Sequence, residues 1–440
     1  MIDPTLLPRP AADLGALDNG LEVVAVPLPH LHIASVVLFV RVGSRYETPA
    51  TNGLSHLLEH VLFRGCAAYP DTYALNSAIE RVASGIDAAT SRDFTTFEAS
   101  CMPERVADVL ALMGAMFSAP CLRPEDVGVE QRIIHEELQD ELDARGRDID
   151  VDNISKRLLF GETSMGLKVG GPLQRVRQFT ASDLETWFRR HYVARNMVLV
   201  VSGPVEPAAV RAAASAAFGA LAAGEPATPA PARVIWTLPD FHHTPHEGSQ
   251  VEIQLQWVLP PESDPDWPVL SMIQRVLDDG TCARLRHRLV DQLGLAYHAS
   301  AELESHDGLS ILSLHTQTRP AQVLAVVDAM LALVDELSTS PPDAAEFARV
   351  RARLALELSS VRDSTSATAF WFGLERLLPG LDGLAVRLAR AASVAPEALP
   401  AVAARHLGRA SALLTVVGDL DPVVRPALRR RLKLGRAPSA

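Results

Sequence analysis

Arg190-His191-Tyr192, leading into Asn196-Met-Val-Leu-Val-Val-Ser-Gly-Pro-Val-Glu-Pro207, is echoed by Arg405-His406-Leu407, leading into Ser411-Ala-Leu-Leu-Thr-Val-Val-Gly-Asp-Leu-Asp-Pro422. The displacement is 215 residues at His191/His406 and again at Gly203/Gly418. A nearly equal displacement relates the helical pattern Val106-Ala-Asp-Val-Leu-Ala-Leu-Met113 to Val323-Leu-Ala-Val-Val-Asp-Ala-Met330. Two halves of one architecture follow. Length agrees, because 440 residues exceed what one hydrophobic core usually organises.

Within each half, β-rich runs such as Leu21 to Val26, Ala34 to Val42 and Gln250 to Leu259 alternate with long helical patterns. The expected class is α+β: two homologous α/β-sandwich domains, each a mainly antiparallel sheet with helices packed on one face. Residues 1–221 read as the first domain, 222–249 as linker and loop, and 250–440 as the second domain. Ala222 to Pro231 is rich in Ala and Pro, the composition of a linker. His242-His-Thr-Pro-His246 precedes the Gly248-Ser249 break and reads as a loop, its histidines exposed beside Pro245 rather than gathered on a metal.

Composition narrows the functional classes. Hydrophobic residues at 48% and charged residues at 21% describe an ordinary soluble globular chain. A net charge of −12 argues against a nucleic-acid-binding surface. Cys66, Cys101, Cys121 and Cys282 contain no C-x-x-C pair, so neither a cysteine zinc site nor a disulfide framework is expected. The start, Met1-Ile-Asp-Pro-Thr-Leu-Leu-Pro, lacks the basic and apolar segments of a secretory signal, and no apolar run approaches a membrane span. The expected compartment is a reducing cytoplasm.

Chemistry concentrates in Gly53-Leu-Ser-His-Leu-Leu-Glu-His-Val-Leu-Phe-Arg-Gly65. On a helix, His56 and His60 project from one face and offer two imidazole nitrogens to one cation, while Glu59 lies close enough to reach a bound water without being a ligand. Leu57, Leu58, Val61, Leu62 and Phe63 supply an apolar side for burial, and Gly53 and Ser55 are plausible helix-start residues. A hydrolytic zinc needs three protein ligands and an open position, so the third ligand lies elsewhere. The charged helical stretch from Glu125 to Arg147, with Val127, Ile134, Leu138 and Leu142 on one stripe, offers Glu136 and Glu137, between which spacing alone does not choose.

The H-x-x-E-H order is the inverzincin pattern. With it, the first half resembles the pitrilysin/insulinase family, and most closely its half-length branch, which includes mitochondrial processing peptidase. The resembling segments are Leu17-Asp-Asn-Gly-Leu21, Val40-Arg-Val-Gly-Ser-Arg-Tyr-Glu47, the histidine helix, Asp87-Ala-Ala-Thr-Ser-Arg92, Arg132-Ile-Ile-His-Glu-Glu137 and Tyr192 to Gly203. The resemblance implies a zinc metalloendopeptidase built as half of a clamshell around an enclosed chamber. It implies Zn2+ on His56, His60 and Glu136, with Glu137 as the fallback, and Glu59 as the proton-transferring residue. Relatives often carry an acidic residue two turns before the third ligand; counted back from Glu136 that position is Val129, with Glu130 beside it. Asp87, Ala88 and Ala89 correspond to an edge strand on which relatives lay the substrate, where they usually have asparagine at the position of Asp87.

The second half has no H-x-x-E-H, but Leu285-Arg-His-Arg-Leu-Val-Asp-Gln-Leu-Gly-Leu-Ala-Tyr297 resembles the family's substrate-holding segment. Tyr297 keeps the family position, and the resemblance implies a catalytic role for it, or for a partner's equivalent, in stabilising the charge on the scissile carbonyl oxygen; the arginine expected seven residues earlier is Val290, and Arg288 points to a different helical face. In two-chain family members one subunit carries the zinc motif and its partner the arginine and tyrosine. The resemblance therefore implies a heterodimer with a homologous partner as the leading arrangement, and a homodimer as the other. Two further readings stay open: a non-catalytic assembly subunit like the core proteins of respiratory complexes, and dedicated maturation of one small precursor peptide.

Overall fold

A computed structural model describes residues 11–237, 240–378 and 383–433. The first sheet is built from β1 (Asp13–Ala16), β2 (Glu22–Pro27), β3 (Ala34–Val40), β4 (Asp87–Thr90), β5 (Thr95–Cys101) and β6 (Met197–Gly203), in the order β1-β2-β6-β3-β5-β4. The second is built from β7 (Asp240–Thr244), β8 (Val251–Leu259), β9 (Ala299–His306), β10 (Leu309–Thr318) and β11 (Ala412–Val417), in the order β7-β11-β8-β10-β9. Beyond the extra β1, the two orders are the same. Each sheet is antiparallel except for one parallel pair, β2 with β6 and β7 with β11. The duplication read from Arg190–Pro207 and Arg405–Pro422 is thus a duplication of topology.

The stretch expected to be linker and loop contains β7. His242 and His243 belong to this strand, which pairs along β11. Backbone pairing with an otherwise open sheet edge outweighs the poor strand propensity of the run.

Helices α1 (Leu54–Leu62), α2 (Thr72–Glu80), α3 (Val106–Ser118), α4 (Pro124–Glu137) and α5 (Val151–Phe160) follow in the first half. The run Ala34-Ser-Val-Val-Leu-Phe-Val40 is buried along its whole length, so both faces of the sheet must be covered. Val36, Leu38 and Val40 point to one face, against Leu57, Leu58, Leu110 and Met113 of the first half's own helices. Val37 and Phe39 point to the other, with Val24, Val26, Val198 and Val200, and meet Ala369, Phe372 and Leu377 of the helix Thr365–Leu377. That helix comes from the second half.

The exchange is mutual. Helix α5 of the first half lays Val151, Ile154, Leu159 and Phe160 on Ile311, Leu413 and Val417 of the second sheet. Polar contacts mark the same seams: Ser155 Oγ lies 2.8 Å from Thr415 Oγ1, and Ser35 Oγ lies 2.8 Å from Thr365 Oγ1. The distance that relates His191 to His406 also relates α5 to the helix Thr365–Leu377. Each half therefore has its own helices on one face, as the sequence pattern implied, and one lent helix on the other.

The lent helix sits close. A Cβ on Gly373 would lie 2.0 Å from the Phe39 ring. Gly373→Ala is expected to destabilise the protein by about 1–3 kcal/mol through overpacking, seen as a lower thermal midpoint, and Phe39→Leu in the same chain to recover part of the loss.

Candidate metal centre

On α1, Leu57, Leu58, Val61 and Leu62 face the first sheet. The same periodicity turns His56, Glu59 and His60 together to the other side. Glu47 places the start of this helix: its Oε2 accepts from Gly53 N and Asn52 Nδ2 and its Oε1 from Ser55 N, each at 2.8 Å. A carboxylate here meets backbone N–H groups that have no partner inside the helix, and it faces the positive end of the helix dipole. Burial pushes the Glu47 carboxyl above its usual range, and the Asn52, Ser55 and Gly53 donors oppose that.

Facing α1 is α4, with Val127, Glu130 and Ile134 buried. Steps of three, four and three residues continue that stripe to Glu137, not to Glu136. Glu137 Oε1 lies 3.5 Å from His56 Nε2, Glu137 Oε2 lies 3.5 Å from His60 Nε2, and the two Nε2 atoms are 3.3 Å apart. Glu136 is exposed, with Gln139 Nε2 donating to its Oε1 at 3.4 Å. The carboxylate that joins the two imidazoles is therefore Glu137. One helical residue is about 100° of rotation, enough to turn Glu136 away. The expected helix through Arg147 also ends sooner: α4 stops at Glu137, and Asp143 accepts from Arg145 N, Arg147 N and Arg147 Nε in the turn beyond.

Among the described residues, His56, His60 and Glu137 are the one group of His, Cys, Asp and Glu side chains that can share an ion. The donor set fits zinc. Tetrahedral bonds of about 2.0–2.2 Å place donor atoms about 3.3–3.6 Å apart, the separations seen here. Glu130 Oε2 lies 3.0 Å from His60 Nδ1, so that nitrogen donates and Nε2 presents its lone pair to the corner. His56 Nε2 and His60 Nε2 face each other across the corner. Arg64 Nε donates to the other oxygen of Glu130. Glu130 is held below its usual range, burial being outweighed by His60 and Arg64. It lies seven residues before Glu137, which is the acidic position that counting back from Glu136 puts at Val129.

Burial would lower the His60 pKa, but Glu130, Glu59 and Glu137 raise it above that of an ordinary histidine. Glu137 is lowered, first by its contact with His56. Glu59, mostly buried, accepts a hydrogen bond from Thr90 Oγ1 at 2.6 Å. Thr90 ends β4, the edge strand of the first sheet, in which Asp87, Ala88 and Ala89 pair with Glu98, Phe97 and Thr96 of β5. The other rim of β4 has no strand partner among the described residues.

Tyr297 is elsewhere. It is 95% exposed and lines a cavity of about 530 Å³ with His298, His315 and Arg319, none of which belongs to the histidine corner. Val290 lies in a π-helical turn, His287–Gln292, and Arg288 Nη2 is 3.1 Å from both carboxylate oxygens of Glu336. His243 Nε2 is bound to Gly418 O and His242 Nε2 to Thr244 Oγ1, so these histidines form no cluster. Glu47 and Thr90 escaped sequence reasoning, although both lie in stretches whose resemblance was legible; Glu47 is identified by its bonds to the nearby helix start and Thr90 by a bond to Glu59, 31 residues away, neither of which the local pattern records.

Two family models match the chain: "Insulinase (Peptidase family M16)" over residues 22–168 and "Peptidase M16 inactive domain" over residues 178–354. An uncharacterized zinc protease of Streptomyces coelicolor is 27% identical over 412 residues, covering 92% of this chain and 89% of that protein. The beta subunit of the mitochondrial-processing peptidase of Blastocladiella emersonii is 30% identical over 219 residues, which is 50% of this chain and 46% of that one. The match thus spans about half of that mitochondrial subunit. A crystal structure of a protease from Helicobacter pylori superposes with a TM-score of 0.86 at 20% identity, over 93% of this chain and all of that one, a likeness of fold.

Two outcomes follow from the geometry. Glu47→Ala should orphan the N–H groups of Gly53 and Ser55, lowering stability by about 1–3 kcal/mol and weakening zinc uptake; Glu47→Gln should keep more of both, as read by thermal melting and zinc titration. Because uptake needs a neutral His60 and its pKa is raised, zinc affinity should fall with decreasing pH from a higher pH than an ordinary histidine would give. Competition titrations across pH check the sign.

Proposed function

The chain belongs to the insulinase, or M16, peptidase family, and from that premise we propose that it is a zinc-dependent endopeptidase, the zinc-bearing subunit of a two-chain enzyme. One observation carries the reading: His56, His60 and Glu137 converge at tetrahedral donor spacings beside Glu59, a carboxylate that is not part of the triad. Zinc held there supplies a Lewis acid that polarises water and the scissile carbonyl.

The chain's own residues supply the rest. Thr90 occupies Oε2 of Glu59 and leaves Oε1 to take a proton from the attacking water and hand it to the departing amine. Glu130 fixes the His60 ring through Nδ1. The open rim of β4, from Asp87 through Ala88 and Ala89, pairs with an extended substrate backbone, which gives affinity that depends little on substrate side chains. The charge developing on the carbonyl oxygen needs a donor, and Tyr297 lies outside this chain's histidine corner. The Val290 substitution and the engagement of Arg288 by Glu336 leave the arginine of the pair to a homologous partner. Free thiols at all four cysteines suit a reducing compartment, and we assign the protein to the cytoplasm.

Substitution separates the roles. Glu59→Gln should bind zinc and lose about 10²–10⁴-fold in turnover; Glu137→Gln should lose zinc, and Glu136→Gln should leave zinc content and activity as they are. Metal analysis and peptide hydrolysis measure all three, and full turnover by zinc-loaded Glu59→Gln overturns the reading. Activity that appears only on mixing with a homologous partner supports the two-chain enzyme; a normal rate from the purified chain alone removes it.

A further inference from the structure

The turn that follows β4 is anchored by the second half. Asp93, buried, accepts from Arg45 through Oδ1, and its Oδ2 lies 2.6 Å from His306 Nδ1 at the end of β9. Arg45 is 1% exposed; its backbone N donates to Arg92 O at 3.0 Å and its Nη2 to Asp307 O at 3.2 Å. His306 Nε2 is 3.4 Å from Glu304 Oε2, and both Glu304 oxygens lie 2.8 Å from Lys156 Nζ on α5. Lys156 also reaches Asp152 Oδ2 at 2.8 Å, and Arg92 Nη2 lies 3.8 Å from that same atom. The charges form a ring. It leaves the turn at Asp93, passes through the second half and the lent helix, and returns at Arg92. Backbone packing closes the turn from the other side, since a Cβ on Gly43 would meet Ser91 O at 2.2 Å.

Asp93 lies three positions after Thr90, the residue that holds Glu59 and ends the strand read above as the substrate edge. We propose that Asp93 and His306 are positioning residues, a cross-half clamp that sets β4 against Glu59 and so governs substrate pairing and turnover. The inference rests on the peptidase reading for its effect on catalysis, but not for its effect on β4 itself. The groups facing His306 are Asp93 and Glu304 directly, with Arg45, Lys156, Asp152, Arg92, Asp307 and Glu302 around them. Burial alone would lower the pKa of His306, but Asp93 and Glu304 raise it. A raised pKa means that the clamp is fully made below the pKa of an ordinary histidine and weakens as pH rises through the folded value.

The test uses the full chain loaded with zinc. In His306→Gln, amide hydrogen exchange should quicken at least tenfold across residues 87–93 while α1 is unchanged, and zinc content should stay at the wild-type level. With peptide substrate and the partner that activity requires, kcat/KM should fall about tenfold or more, and the part of the wild-type pH profile in which activity falls as His306 loses its proton should disappear. Asp152→Asn opens the ring at its exposed side without touching His306 and should move exchange in the same direction by less; it decides the matter if His306→Gln fails to fold. Unchanged exchange at 87–93 in the folded variants overturns the clamp. Quickened exchange in a protein that neither holds zinc nor cuts peptides keeps the clamp and overturns the peptidase reading, and unchanged kcat/KM despite quickened exchange overturns the positioning role.

Discussion

Two-sided burial of the central strands is the constraint on which this structure depends. β3 and β6 are apolar on both faces, and a sheet with apolar residues on both faces needs cover on both. Each half has enough helices of its own for one face. The other face is closed by a helix lent across the duplication, α5 in one direction and Thr365–Leu377 in the other. Neither sheet is complete without the other half, so the geometry of the first half is set partly by the second.

The histidine corner inherits this arrangement. Helix α1 is pressed onto the first sheet by four aliphatic residues and held at its start by Glu47, which leaves one rotational setting for His56 and His60. Helix α4 is set by Val127, Glu130 and Ile134, and the same stripe brings Glu137 to the imidazoles while Glu130 takes His60 from behind. Both helices project polar groups into the corner because their apolar groups are committed elsewhere. Thr90 and the edge of β4 complete the corner, anchored at the following turn by buried charges of both halves.

Much of this is legible in the sequence alone. Strand runs, the repeat and the pairing of two histidines four residues apart all depend on local periodicity, which sequence records directly. Val127, Ile134 and Leu138 share a stripe with Glu130 and Glu137 and not with Glu136, but the stripe does not record that this face of the helix meets the imidazoles. The unbroken apolar runs in β3 and β6 carried a second signal, for cover on both faces, but not the identity of the covering helix. Strand β7 was hidden, because its pairing comes from β11, far along the chain.

The sequence by itself determined two related α+β halves and a helix presenting His56, Glu59 and His60 on one face, because these follow from spacings of two, three and four residues. Only the tertiary structure decided which carboxylate joins the imidazoles, which hydroxyl holds Glu59 and which half covers which sheet. Those depend on the docking of elements tens to hundreds of residues apart, where a single step of helical rotation or one lent helix changes the neighbours without changing the local pattern.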